Sequence, residues 1–229
     1  MEAIGFTFSE VAFDEAAGGV LLAGTKPPRQ TRCPHDGNAG FEAGTPDSNT
    51  IPCWTVADMG DGSWCTQAGA LASAGDCVGS GLTVSPPPEG AQAAMVGQSG
   101  PGAHVLYRCG VLRSGAISFQ LYILNVAGAF ASPSALDPFG GEDNQQVRVD
   151  LVRPEALAAN PFTTAPGDVL MNAYQSQPGD PLESGYAAVS ADAAAYVGQE
   201  VCLRFAEADN LFFLHAGVDA VQVDWRAAR

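Results

Sequence analysis

Positive charge is scarce in this chain. Lys26 is its only lysine, and nine arginines complete a basic set that faces 25 acidic residues, for a net charge of −15 over 229 residues. Binding a phosphate backbone takes a basic surface that displaces counterions. Nucleic acid is therefore excluded as a partner, and an anionic membrane surface with it. Long apolar runs are missing too. No stretch approaches the ~20 residues of a membrane-spanning helix. Residues 1–26 lack a basic start and a long apolar core, and VLLAG at 20–24 is too short for one. No signal peptide is read, so the expectation is the mature form of a secreted protein with an added Met.

Catalytic and zinc signatures are also lacking. There is no CxxC, and His35, His104 and His215 are scattered, which argues against structural zinc. Neither GxSxG nor HExxH occurs. The expectation is a non-catalytic protein. A hydrolase built on a carboxylate pair stays open, because spatial separation is invisible in sequence.

What is abundant is turn chemistry. The chain has 27 Gly and 16 Pro, only 15% charged residues, and 46% hydrophobic residues. Such a chain can bury a sizeable core, but it has few charged faces from which to build amphipathic helices. All-β architecture follows. Residues 1–32 read as a lead-in: alternation at Ile4, Phe6 and Phe8 suggests an edge strand, 19–22 a second short strand, and KPPRQTR a linker. Residues 33–229 read as one domain.

Cys33, Cys53, Cys65, Cys77, Cys109 and Cys202 make an even count in a loop-rich acidic chain, which fits three disulfides in an oxidising compartment. The preferred pairing is Cys33–Cys53, Cys65–Cys77 and Cys109–Cys202. The first two close short loops and the third ties two predicted strands; the alternative is that several are buried free thiols.

From residue 91 the pattern becomes regular. Strands are predicted at 93–96, 104–112, 116–125, 145–152, 169–175, 185–189, 201–205 and 218–225, with turn-rich segments between them and a short helix at 191–198 closed by Gly198. This predicts a two-sheet antiparallel jelly-roll sandwich with long loops and little helix. The stretch 200–224 reads as two strands joined by an acidic hairpin loop. Phe212 and Phe213 are consecutive, so one should point outward. Segment 65–89 reads as a surface excursion pinned by Cys65–Cys77, and DMGDG at 58–62 as a tight turn held by its Asp side chains.

On alternate positions of the predicted strands lie Gln120 and Tyr122, then Gln146, Arg148 and Asp150, then Arg204. If the strands share a sheet, these gather on one outer face. Planar amides, a guanidinium and a phenol suit a hydroxyl-rich ligand. The competing reading is an ordinary polar face with cross-strand pairs, or one covered by the long loops.

Several passages run in a recognisable order: GFEAG at 40–44, CWT followed by DMGDGSW at 53–64, PEGAQAAMVGQSGPGAHVLY at 88–107, ISFQLYILN at 117–125, NQQVRVDLV at 144–152, and LRFAEADN with AGVDAVQVD at 203–224. In that order they resemble bacterial extracellular jelly-roll modules: domains of the MAM and cleaved-adhesin (choice-of-anchor) type and galactose-binding-like carbohydrate-binding modules. Cys53 departs from the pattern, where Gly or Pro is usual, and so does the longer loop at 65–81. The resemblance implies a secreted or cell-surface location.

It also implies a structural calcium shared by the acidic residue after the first Gly-Phe, here Glu42, and an Asp of the last strand, here Asp219. Calcium takes oxygen ligands from carboxylates and turn carbonyls. Asp36, the carbonyls of 37–40 and Asp209 are further candidate donors. The function expected is a calcium-stabilised binding or adhesion module whose partner is a glycan or a surface protein. The alternatives are a dedicated carbohydrate-binding module, and a structural subunit of a filament or coat that self-associates by donating a strand from residues 1–32.

Overall fold

The computed structural model describes residues 11–14, 19–22, 37–72, 77, 80–97 and 100–226. The chain divides into two compact units, residues 1–33 and residues 34–229. In the first, β1 (Val11–Asp14) and β2 (Gly19–Leu22) pair antiparallel with each other. The edge strand expected around Ile4–Phe8 lies outside the described residues.

The second unit is organised by β6 (Gly102–Asn125), 24 residues long. Its first half pairs on one side with β3 (Thr55–Gly60) and on the other with β10 (Glu200–Asp209). Its second half pairs with β11 (Leu214–Arg226) and β9 (Glu183–Asp192). From β10 the first half-sheet continues to β7 (Gln145–Val152) and β8 (Val169–Gln175). From β11 the second continues to β5 (Ala93–Gly97) and β4 (Ser63–Gln67). All these pairings are antiparallel, and β6 joins the halves into one nine-stranded hydrogen-bonded sheet.

The halves share one core. Phe119 of β6 packs edge-on against Phe205 of β10 at 5.1 Å, and Phe205 meets Trp54, which meets Phe41. Leu121, Val149, Leu203 and Val218 belong to the same buried cluster. The fold is the expected all-β sandwich with little helix.

Four expectations are corrected. A turn at 113–115 does not occur: β6 runs through and changes partners instead of reversing. Gly115 permits this, since a Cβ there would lie 2.6 Å from the Ala194 backbone. Residues 209–214 do not close a hairpin, because β10 pairs with β7 and the first half of β6, whereas β11 pairs with β5 and the second half of β6. The helix expected at 191–198 is strand to Asp192, then a 3-10 turn at Ala194–Tyr196, with Gly198 at φ 86°. An α-helix, α1 (Pro154–Ala159), lies where a loop was expected; Pro at its start and Glu155 in its first turn are its local signals.

The loops cover the outer faces. Leu136 and Phe162 pack on Val105 and Ala206, and α1 packs Ala156 and Leu157 against Val152 and Cys202. β10 is consequently buried on both faces from Val201 onward. Across the other half-sheet, Ala72 and Val84 cover Met95 and Tyr122, on a segment fastened by the Cys65–Cys77 disulfide. Cys109 and Cys202 form a second disulfide between paired positions of β6 and β10. Cys53 is also disulfide-bonded; Cys33, its expected partner, lies outside the described residues.

Candidate functional site

Residues 37–44, which include the GFEAG passage, form an irregular loop of turns. Asn38 and Phe41 hold positive φ, 57° and 58°, a conformation costly for Phe. The loop is pinned from inside: Trp54 Nε1 donates to the Asn38 carbonyl at 3.0 Å, Asn38 Nδ2 donates to the Pro52 carbonyl at 3.0 Å, and the Phe41 ring is fully buried. It is pinned to β11 as well, since the Val221 N–H donates to the Ala39 carbonyl at 3.1 Å. Here β11 has an irregularity between Asp219 and Gln222, with Ala220 at φ 51°.

Three carboxylates gather around Gly40. A Cβ on that residue would lie 3.4 Å from Glu89 Oε1, 3.8 Å from Asp219 Oδ1 and 3.9 Å from Glu42 Cγ. Glu42 Oε1 accepts the backbone N–H groups of Ala91 and Gln92 at 2.9 and 3.0 Å. Gly90, at φ 59°, brings its backbone so close to the Glu42 carboxylate that any Cβ would collide with it. Asp219 is fully buried, and its Oδ1 accepts the Ala220 N–H at 2.7 Å. Its Oδ2 is buried with no hydrogen-bond partner, and so are Gln92 Oε1 and Tyr186 Oη nearby. Gln92 is tied to the same loop through its amide, which donates to the Glu42 and Gly44 carbonyls.

The electrostatics match the crowding. Burial pushes the Asp219 carboxyl up to about 7; the Ala220 and Glu89 backbone N–H groups pull it back, and the negative charges of Glu89 and Glu42 add to the rise. Burial also raises the Tyr186 phenol, and the neighbouring Asp219 charge raises it further. A cleft of about 410 Å³ opens onto this cluster, lined by Gly40, Glu42, Glu89 and Ala220 among others. The donors are all hard oxygens, the chemistry of calcium rather than of zinc or copper. Among the described residues no three His, Cys, Asp or Glu side chains converge on one metal position by themselves, so a cation here also needs backbone carbonyls of the 37–44 loop.

The expected metal set thus divides. Glu42 and Asp219 meet. Asp209 does not join them: it ends β10, and its Oδ1 accepts the Gly102 N–H at 3.2 Å. Asp36 lies outside the described residues. Glu89, which stands beside them, was not among the candidates, although the PEG turn that carries it stood among the recognisable passages.

The polar stripe divides as well. Gln120 and Tyr122 lie in the second half of β6, whereas Gln146, Arg148, Asp150 and Arg204 lie on β7 and β10 of the other half-sheet. Tyr122 is buried under the 65–84 segment, and Gln120 is half-buried. The other four are sealed beneath the loops. Arg148 grips Asp150 with Nε and Nη2 at 2.8 and 2.9 Å, Arg204 Nη2 reaches Asp150 Oδ2 at 2.6 Å, and Asn172 donates to Oδ1 at 2.8 Å. Arg204 Nη1 donates to the Pro161 and Thr163 carbonyls of the covering loop. The six residues do not form one exposed face; four of them hold a loop on the sheet.

Two histidines are equally internal. His104 sits between Asp58 Oδ1 and the Asp61 carbonyl at 2.9 and 3.0 Å, while Ser63 donates to the other Asp58 oxygen. The expected tight turn at 58–62 is shorter than that: β3 runs to Gly60, and this cluster fastens residues 61–62, through which the chain passes from one half-sheet to the other. His215 contacts the Val96 carbonyl through Nδ1 and Ser80 Oγ through Nε2; burial lowers its pKa, which keeps the ring neutral.

No protein-family model and no curated protein matches the chain. Solved structures do. The K2 cleaved adhesin domain of Lys-gingipain aligns over 82% of this chain and 97% of its own, at 14% identity and a TM-score of 0.47. The carbohydrate-binding module TmCBM61, solved with β-1,4-galactotriose, aligns over 82% and 96% at 10% identity and TM-score 0.45. A Stig cyclase from Fischerella sp. TAU aligns over 84% and 96% at 16% identity and TM-score 0.42. Binding modules and enzymes both stand among these similar structures.

Proposed function

We infer that this chain is a non-catalytic extracellular binding module whose 37–44 loop is ordered by a structural calcium ion. The observation that carries the reading is Asp219: a fully buried carboxylate with one oxygen unpartnered, set beside Glu89 and Glu42. Burying an uncompensated negative charge is costly, and a divalent cation offsets it. Asp219, Glu89 and Glu42 would hold the ion with backbone carbonyls of the loop. The ion's charge would relieve the mutual repulsion and fasten the loop to β11. Two disulfides on covering segments and paired strands fit an oxidising compartment. Buried His104 has both ring nitrogens engaged, and the Arg148–Asp150–Arg204 cluster is closed to solutes, which supports the non-catalytic reading.

Thermal melting in millimolar calcium against EDTA tests it. Calcium raises the midpoint in the wild type and leaves Asp219→Asn unmoved. A wild-type midpoint indifferent to both additions sinks the proposal.

A further inference from the structure

One end of the sandwich gathers the end of β3 and the connection after it at 58–62, the residues leading into β6 at 100–102, the long connection 126–144 and the β10–β11 connection 210–213. The links are specific. Asn210 Nδ2 donates to the Pro138 and Glu142 carbonyls, the Val126 N–H donates to the Phe213 carbonyl, and a Cβ on Gly60 would lie 3.0 Å from the Phe139 ring. Of the six large apolar side chains exposed among the described residues, four stand here: Val126, Phe139, Leu211 and Phe212. Phe139 is 62% and Phe212 55% exposed. Folding alone does not account for two such rings on a surface this polar, and clustered exposed apolar side chains mark contact sites. Between Pro101 and the 209–213 segment lies a cavity of about 160 Å³. That is roughly the room a benzene-sized group occupies in an apolar cavity.

The rim around these side chains is uniformly acidic. Residues 58–62, 100–101, 126–144 and 209–213 include Asp58, Asp61, Asp137, Glu142, Asp143 and Asp209, and no Lys, Arg or His. Asp61, Asp137, Glu142 and Asp143 are exposed, whereas Asp209 is buried and Asp58 is engaged by buried His104. Loop residues hold this rim in place: Asp137 Oδ1 accepts the Phe139 N–H at 2.9 Å, which sets the turn that presents the ring.

We propose that this end of the sandwich docks a basic polypeptide segment, inserting an aromatic or leucine side chain between Pro101 and Phe212 and setting flanking Arg or Lys against Asp61, Asp137, Glu142 and Asp143. The proposal rests on the reading of the chain as a binding module, and names the partner class. Charge selects the occupant. A second copy of the chain would set acidic rim against acidic rim, at a net charge of −15 each. Anionic lipid and nucleic acid are repelled in the same way. A basic segment gains apolar burial at the centre and charge complementarity at the rim, the usual anatomy of a protein contact.

The test is a selection of random dodecapeptides displayed on phage against the immobilised full chain, run in calcium and in EDTA. Recovered sequences are expected to place an aromatic or Leu between Arg or Lys residues. A synthetic peptide of that sequence, followed by fluorescence anisotropy, should lose roughly tenfold or more in affinity on Phe139→Ser with Phe212→Ser. The triple variant Asp137→Asn, Glu142→Gln, Asp143→Asn should weaken binding and flatten its salt dependence. These are surface positions, so unchanged melting midpoints show that the variants fold. Recovered peptides without basic residues, or peptides indifferent to both variants, overturn the proposal. So does a glycan bound on an array and lost with Phe212→Ser, or a dimer in light scattering that Phe212→Ser dissolves. The calcium melt reports on Glu42, Glu89 and Asp219, and the peptide assay on the 126–144 and 209–213 segments, so either reading can fail alone.

Discussion

Glu89 and Asp219 approach one another across Gly40, with Glu89 Oε1 and Asp219 Oδ1 at 3.4 and 3.8 Å from the position where a Cβ on that glycine would stand. Two carboxylates so placed, one of them fully buried, repel in a poorly solvated setting where charge interactions are strong. A cation in the cleft would relieve that repulsion, so its binding and the ionisation of Asp219 would be coupled.

That coupling has a pH signature. Unfolded, Asp219 titrates near 3.8; folded, it is raised to about 7. Between those values the cation-free native state holds the extra proton, so the Asp219 contribution to stability falls as pH rises through this window. Urea midpoints between pH 4.5 and 7.5 in EDTA should show this decline, and Asp219→Asn should remove it. Calcium competes with the same proton, so its affinity should rise up to pH 7 and level off above.

Gly90→Ala attacks the same site through the backbone. The new Cβ meets the Glu42 carboxylate in a left-handed conformation, which costs roughly 1–2 kcal/mol before any collision. Chemical denaturation should register at least that loss, and the calcium-induced rise in melting midpoint should shrink because Glu42 is displaced.

Asp150→Ala leaves two buried guanidiniums without their carboxylate, and should destabilise the chain by about 3–5 kcal/mol. Burial works to raise the Asp150 carboxyl, but its bonds to Arg148 and the charges of Arg204 and Arg148 outweigh it and hold it below the usual carboxylate range. A depressed acid contributes stability above its unfolded value of 3.8 that is lost as pH falls through the folded value. The variant should therefore show a shallower fall in stability below pH 4, measured by urea denaturation.

The two described disulfides close loops of different length, with separations of 12 and 93 residues. Chain entropy predicts about 3 kcal/mol for the shorter and about 4.7 kcal/mol for the longer. Paired Cys→Ala replacements at 65 and 77 and at 109 and 202 should follow that order in guanidinium unfolding. The Cys65/Cys77 replacement should also raise proteolysis within 65–84.

Sequence by itself determined the class of this protein. Alternation placed β7 and β8 at the bounds the structure shows, because a buried strand with turn formers at both ends carries its signal locally. Glycine, proline and the shortage of charged residues excluded a helical fold, and the ordered passages pointed to Glu42 and Asp219. Tertiary structure decided which strands pair and what covers them. The Arg-Ser-Gly at 113–115 reads as a turn in sequence; in the structure β6 runs through it and changes partners, with Gly115 packed close against the Ala194 backbone. Gln146, Arg148, Asp150 and Arg204 alternate as a solvated face would, and became interior because segments distant in the chain settle over them. Glu89 entered the candidate site for a similar reason: a carboxylate in a surface turn becomes part of a site only when Gly40 and Asp219 arrive beside it, and alternation along a strand carries no information about that arrival.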